Sequence, residues 1–249
     1  MIDALTIVLP HYRNLGMLAE QQRIWADYPY HLRRRLHVII VDDGSPKGMR
    51  PSAKSMRKDL GLASFRLYRA LKDVRWNWLF CRNLGMDQAT TDWVLLTDID
   101  HVVPMELLVR LLDTDPREDS AVYQSGRVDA PHVWPYRLSE CTPYKPHRDT
   151  WFLTRTLFDR IGGYDERFSG FYGTSSEFRE RVNTTAERIV TRPDVLVRYP
   201  REIIADASTT TYGRKEEQDR ENVTRIRAAR ALIPDWRPLR LTVPWERLL

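Results

Sequence analysis

The sequence predicts an α/β fold with a mostly parallel central sheet flanked by helices, and three observations carry that prediction. Short, nearly unbroken apolar runs at residues 5–9 (LTIVL), 37–41 (HVIIV) and 93–97 (WVLLT) read as strands buried on both faces. Helix-spaced apolar patterns fill the intervals, at 15–25, 53–60 and 79–88. Strand and helix alternating in this way indicate right-handed crossover units.

Taken in order, each element has its own stop signal. Pro10 ends the first strand, and Asp42-Asp43-Gly44-Ser45 ends the second. Residues 65–68 supply a third strand, and the run at 93–97 stops at Asp98. The second half reads differently. Residues 129–149 (DAPHVWPYRLSECTPYKPHRD) are rich in proline, aromatics and histidine, a long aperiodic stretch of the kind that carries function. A helix follows near 156–161, then a glycine-rich turn and a helix from Ser175. Strand-like runs come at 195–199 and 202–205, and an arginine- and glutamate-rich helix at 214–232. The chain after Pro234 reads as extended and packed on the surface.

Composition bounds the class. Of 249 residues, 42% are hydrophobic and 29% charged, which excludes a disordered chain, a collagen or a coiled-coil rod. No run approaches the roughly 20 apolar residues of a membrane-spanning helix, and the N-terminus does not read as a signal peptide. Two cysteines, Cys81 and Cys141, make neither a disulfide framework nor a four-cysteine zinc site, so a reducing cytoplasm is the expected home. The 39 basic against 34 acidic residues leave +5, a modest excess. It suits nucleic acid, an acidic membrane surface or a phosphate-rich small substrate. The run Arg33-Arg34-Arg35 reads as a solvated approach to a strand.

The chemistry gathers at strand ends. Asp42 and Asp43 close one strand, and Asp98 and Asp100 stand at the end of another. In open α/β sheets ligands bind outside the carboxyl ends of the strands, so both acidic pairs point at one rim. An Asp-x-Asp there can hold a hard divalent cation whose remaining positions take substrate phosphates.

The order of these motifs resembles the GT-A fold of nucleotide-sugar glycosyltransferases, broadly family 2 and more closely the β-1,4-galactosyltransferase group. Pro10-His11-Tyr12-Arg13-Asn14 is similar to that group's P-F-R-N-R, and WNWLFCRNLGM (Trp76 to Met86) to its F-N-R-A-x-L-L-N-x-G-F. Asp98-Ile99-Asp100 followed by Pro104 is similar to D-x-D-x-x-P. The stretch from Gly163 to Arg181 aligns without a gap on G-F-x-x-x-F-x-G-W-G-G-E-D-D-[DE]-F-x-x-R.

That resemblance implies one GT-A domain over residues 1–249. Residues 1–104 form its nucleotide-sugar-binding half, and 105–249 its acceptor-side half with a C-terminal helix. It implies a nucleotide-sugar donor, uridine diphosphate first, held by Pro10, Tyr12, Asp42, Asp43, Asn77, Arg82, Asn83 and Asp98. Asp98 and Asp100 would hold Mn2+ or Mg2+ and the ribose, and Asp206 falls where the group carries a third, histidine ligand. Trp78 stands where the family has arginine, and His101 reads as supporting or exposed. The family's E-D-D is Thr174-Ser175-Ser176 here, so Ser175 occupies the place of the catalytic aspartate and Glu177 alone survives of the cluster. Three readings stay open: Glu177 takes the base role beside Asp100, the enzyme is retaining, or the chain binds without turnover. The implied acceptor is a saccharide or similar hydroxyl. A hydroxymethylated base in DNA is the rival, met by Trp134, Tyr136, Lys145 and Arg148. Trp76, Trp78, Tyr144 and Tyr172 add aromatic faces for either.

Overall fold

The computed structural model describes residues 1–52, 54, 56, 59–130, 146–171, 174–208 and 217–249, with the backbone alone at 217–219. Its first half runs β1 (Leu5–His11), α1 (Leu15–Asp27), α2 (Tyr30–Arg33), β2 (Leu36–Asp42), β3 (Ser64–Ala70), α3 (Trp78–Gln88) and β4 (Trp93–Leu96). There follow β5 (His101–Val102), α4 (Met105–Leu112), β6 (Ala121–Asp129), β7 (Trp151–Thr154), α5 (Arg155–Ile161), α6 (Ser175–Thr185), β8 (Arg188–Arg198), α7 (Glu217–Ala231) and β9 (Trp245–Arg247).

Among the described residues nine strands form one sheet in the order β5-β8-β6-β7-β4-β1-β2-β3-β9. The four central strands are parallel, with Leu5↔Leu36 through His11↔Asp42 in register on one side of β1 and Leu5↔Trp93 through Val8↔Leu96 on the other. The chain steps outward from β1 through β2 to β3, then returns across β1 to β4. That reversal brings the ends of β1 and β4 together, and Thr97 N–H donates to Val8 O across 3.3 Å. The flanks are mixed: β7, β9 and β5 join antiparallel, whereas β6 and β8 pair in parallel with a bulge at Ser125/Gly126. The sheet is therefore parallel at its centre and mixed at its margins.

Burial on both faces explains the unbroken apolar runs. Ile7, Leu9, Val38 and Ile40 share one core with Met17, Leu18, Ile24 and Trp25 of α1. Val8, Ile39 and Val41 face the other core, with Leu79, Phe80, Cys81 and Leu84 of α3. Helix α3 lies so close to β1 that a Cβ on Gly85 would sit 2.1 Å from Val8 Cγ1. Only glycine fits there.

Three expectations change. Residues 202–205 are turns rather than a strand, because Ile203 and Ile204 N–H both donate back to Pro200 O. Of the helix expected over 53–60, residues 53, 55, 57 and 58 lie outside the described residues, and the others are in turns or bends. The extended tail forms an edge strand, β9, paired with Tyr68, Arg69 and Ala70 of β3. Strands β6 and β7 and helix α4 are additions to the sequence reading. No helix of the described residues is long and apolar enough to cross a membrane.

Candidate functional site

Three loops rise from the carboxyl ends of β1, β2 and β4, and hydrogen bonds tie the first two together. Asp43 N–H donates to His11 O across 2.8 Å, and Arg13 N–H to Ser45 Oγ across 2.9 Å. Arg13 holds φ +64, a conformation that costs a side-chain-bearing residue about 1 kcal/mol or more, so the surrounding contacts must impose it. Pro10 lies within β1, partly buried. Tyr12 lies beside it on the rim, with its hydroxyl 3.3 Å from Asp73 and the Arg13 guanidinium 4.9 Å above its ring.

Asp42 is fully buried. Its Oδ1 sits 2.9 Å from His11 Nδ1, and its Oδ2 lies 3.5 Å from Arg69 Nε. The expected direct contact of Asp42 with a nucleoside gives way to this inward array. Asp43 accepts the Asn77 N–H across 2.9 Å and so fixes the start of α3. Asn77 is the N-cap residue of α3 and accepts a hydrogen bond from Ser169 through its side-chain oxygen. Trp76, just before it, holds φ +54.

One turn into α3 stands Arg82, fully buried. Its guanidinium donates to Asp98 Oδ1 across 2.7 Å, to Tyr164 Oη across 3.1 Å and to the Asp149 carbonyl, and packs 4.7 Å from the Trp78 ring centre. Neighbouring Asn83 points elsewhere. Its amide donates to Tyr164 O (2.8 Å) and Glu166 Oε1 (2.7 Å) while Tyr164 N–H donates back to its oxygen (2.8 Å). Asn83 was expected at the phosphates, and it is instead a buried clamp.

The Asp-x-Asp loop meets two histidines. Asp98 Oδ2 lies 3.6 Å from His147 Nε2, and His101 Nδ1 lies 2.9 Å from Asp100 Oδ1. The two imidazoles pack with centres 4.7 Å apart. One donor atom each from Asp98, His101 and His147 falls within a 4.8 Å span. Burial would raise the Asp98 carboxyl, yet His147, Arg82 and His101 outweigh it and hold the group well below the usual carboxylate range. Burial drives His147 down to about 3, a shift that Asp98 opposes. Asp149 is the opposite case, raised to about 6, first by burial and further by Asp98.

Asp206 and Glu177 have other partners. Asp206 accepts Gly16 N–H (2.6 Å) and Met17 N–H (2.8 Å), capping α1 from 189 positions away or more. Each of its oxygens therefore accepts a hydrogen bond from that helix end, whereas the residue was expected as a third metal ligand. Glu177 is 2% exposed. It takes a two-pronged hydrogen bond from Arg181 (2.8 and 2.6 Å) and a third from Arg230 (2.6 Å). Both carboxylate oxygens are thus engaged by guanidiniums, an arrangement that ties α6 to α7. Ser176 Oγ faces Arg227 at 2.7 Å.

Sequence reasoning passed over His147, Asp149 and Tyr164 and set His101 aside. The one signal for the histidines was their residue type, since 46 positions separate them. Trp134, Tyr136, Tyr144, Lys145, Tyr172 and Cys141 lie outside the described residues; Arg148 is exposed.

A search of the curated proteins finds no match to this sequence. Among solved structures the chain is similar to the mannosyltransferase PcManGT from Pyrobaculum calidifontis in complex with GDP-Man and Mn2+. The TM-score is 0.55 at 19% identity, covering 79% of this chain and 57% of that one. It is also similar to S. aureus TarS 1–349, at TM-score 0.54 and 17% identity over 82% of this chain and 63% of that one. The same protein in complex with UDP-GlcNAc gives 0.59 and 18% over 94% and 68%. The chain thus spans less than two thirds of the length of the first two, and the likeness is one of fold. The family model for glycosyl transferase family 2 matches residues 7–179, from β1 through the Asp-x-Asp loop into α6, and on that match over a GT-A fold the chain belongs to glycosyl transferase family 2.

Proposed function

We propose that this chain moves a hexosyl or pentosyl unit from a nucleoside-diphosphate sugar, UDP-linked first, to a hydroxyl on a saccharide, with a divalent cation at Asp98. The observation that carries the reading is the ion pair of buried Arg82 with half-buried Asp98 beside two imidazoles at the carboxyl rim of β4. The solved relatives bind GDP-Man with Mn2+ and UDP-GlcNAc, which supports a cation and a nucleotide sugar here. The motif order shared with β-1,4-galactosyltransferases supports the same site in finer detail, and a two-cysteine chain suits the cytoplasm.

The residues present fit a cation, because a carboxylate and two imidazoles converge within 4.8 Å. When bound, such an ion supplies Lewis acidity toward a departing diphosphate. The chain's own groups do the rest. Tyr12 offers a ring at the rim for the nucleobase, with Pro10 and Asp43 shaping the floor beside it. Asn77 presents a buried amide nitrogen with no hydrogen-bond partner at the head of α3, a donor suited to a phosphate oxygen. Arg82 holds Asp98 in place and keeps positive charge beneath the rim. In the transfer the bond from the sugar's anomeric carbon to the diphosphate oxygen breaks with its electron pair leaving on the diphosphate, one to the acceptor oxygen forms, and the acceptor proton passes to water or to the departing diphosphate.

A second reading, nucleotide-sugar binding without turnover, draws on one feature: Glu177 is sequestered by Arg181 and Arg230 while Ser175 stands at the family's base position. Incubation with radiolabelled UDP- and GDP-sugars and a saccharide panel separates the two. Label in a saccharide supports transfer. Tight donor binding with neither transfer nor donor hydrolysis supports the binding module, and no donor binding at all contradicts both.

A further inference from the structure

We propose that Asp149 and Arg179 form a subsite that reads one hydroxyl of a bound sugar, the carboxylate accepting a hydrogen bond from it and the guanidinium donating one to its oxygen. The subsite deepens the transferase reading and rests on it for the sugar's purpose, but the two groups stand on their own geometry.

Two orphaned atoms carry the proposal. Among the described residues, Asp149 Oδ1 and Arg179 Nη2 are both buried, and neither has a hydrogen-bond partner. Such atoms are rare, because each gives up water without replacing it. The two groups lie within electrostatic reach of each other, and Arg148 acts on the same carboxyl, yet no direct ion pair joins Asp149 to Arg179.

Both are anchored beside the transfer site. The Asp149 carbonyl accepts from Arg82, which also holds Asp98. The next residue, Thr150, places its Oγ1 3.1 Å from Thr97 Oγ1 at the foot of the Asp-x-Asp loop. Arg179 comes from α6, whose Phe178 stacks on Tyr164 with ring centres 4.0 Å apart and meets Trp151 edge-on at 5.8 Å. Ser175 stands four residues before Arg179, and residues so spaced share a helix face. An aspartate at 175 would therefore compete for the Arg179 guanidinium. Serine there leaves Nη2 open, so the departure at the family's base position and the orphaned donor belong to one arrangement.

Charge selects the ligand. An anion between the two groups would meet Asp149 with Asp98 behind it, and a cation would meet Arg179, Arg148 and Arg82. A neutral hydroxyl offers one donor and two lone pairs, so it satisfies the carboxylate and the guanidinium together. Hydrogen bonds to charged groups are the stronger kind, and a site built around a hydroxyl rejects analogues that leave its polar groups bare. The hydroxyl can belong to the donor sugar or to the acceptor saccharide.

The test uses the full chain with Mn2+, together with Asp149→Ala and Arg179→Ala, each checked for folding by circular dichroism. Asp149→Asn and Arg179→Lys provide smaller changes should the alanine variants fail to fold. Calorimetric titration should leave the dissociation constants of bare UDP and GDP within about twofold of the parent. For a donor hydroxyl, those of UDP-GlcNAc, UDP-glucose, UDP-galactose or GDP-mannose, whichever the parent binds, should rise about tenfold or more. For an acceptor hydroxyl, the donor constants hold and the KM for the saccharide rises by that factor instead. The double variant should lose little more than either single one, because one hydroxyl bridges the pair. A deoxyfluoro analogue at the read position keeps an acceptor atom and loses the proton, so it should bind the parent more weakly and lose little further in Asp149→Ala. Donor and acceptor constants unmoved in both variants overturn the proposal. Equal losses for bare nucleotide and nucleotide sugar, the mark of a merely structural role, do the same. A parent that binds no nucleotide sugar contradicts the transferase reading alone. Saturation-transfer NMR with the saccharide panel then reads the subsite directly: contact weakened in both variants supports it, and contact unchanged or absent overturns it.

Discussion

Arg82 and Asp98 form the hinge between fold and site: the guanidinium, buried inside α3, donates to Asp98 Oδ1 across 2.7 Å while also holding Tyr164 Oη and the Asp149 carbonyl. One side chain thus joins the helix, the Asp-x-Asp loop, the start of β7 and the turn before α6. No other residue type makes those bonds at once, because lysine lacks the planar fork. Replacing Arg82 with methionine should lower unfolding free energy by about 3 kcal/mol and abolish donor turnover, since it strands a carboxylate that is only a third exposed. Arg82→Lys should recover part of the stability and little of the activity. Urea melts and a donor-hydrolysis assay on both variants check this, and near-normal turnover in Arg82→Met contradicts it.

Gly85 sets how closely α3 approaches β1. A methyl there meets Val8 Cγ1 at 2.1 Å, and Val8 is buried, branched and locked in a central strand. Gly85→Ala should therefore destabilise by about 1–3 kcal/mol despite alanine's better helix propensity. Pairing it with Val8→Ala should return part of that loss, so a double-mutant cycle by urea melts should show a favourable coupling. Strict additivity would mean that the clash is relieved by some other route.

Glu177 should behave as a structural ion, not as a base. Glu177→Gln keeps its size but loses the charge that Arg181 and Arg230 share, and Glu177→Ala leaves two guanidiniums uncompensated. Stability should fall by about 2–4 kcal/mol in the alanine variant, less in the glutamine one, with the donor dissociation constant little changed. A glutamine variant as stable as the parent but devoid of turnover would restore the base role.

His37 predicts an acid limb in stability that is remote from the site. It lies on β2 with Nδ1 2.8 Å from Ser64 Oγ, and its pKa is lowered first by burial and then by Arg66. The unfolded chain binds this proton more readily than the folded one, so its contribution is present above the ordinary histidine value of about 6.5 and is lost as pH falls below it. His37→Gln should flatten that part of the stability-against-pH curve between about pH 5 and 6.5, measured by urea melts. An unchanged slope counts against it.

What the sequence disclosed was the part written in consecutive residues. The runs at 5–9, 37–41 and 93–97 are legible because strands covered on both faces carry no polar alternation, and the acidic residues that follow mark the rim. Arg82 was legible as a cation near that rim, though not as the partner of Asp98. The remainder rests on contacts between distant positions. Asp206 caps α1 from the far end of the chain, and Glu177 meets Arg230 53 positions on. No spacing rule encodes either pairing, so an aligned carboxylate looked available when it was already spent. His101 and His147 come together only because β5 pairs with β8 at the sheet's edge, while β7 returns beside β4. Strand β7 follows directly on the proline-rich stretch, which hid both it and the histidine.

The most direct measurement is the release of nucleoside diphosphate from UDP- and GDP-sugars by the protein and by Asp98→Asn, each with Mn2+ and with excess chelator. The account predicts release by the parent with Mn2+, at least about 100-fold slower release in Asp98→Asn or in chelator, and unchanged folding by circular dichroism. Equal release by parent and variant, undiminished by chelator, would contradict it.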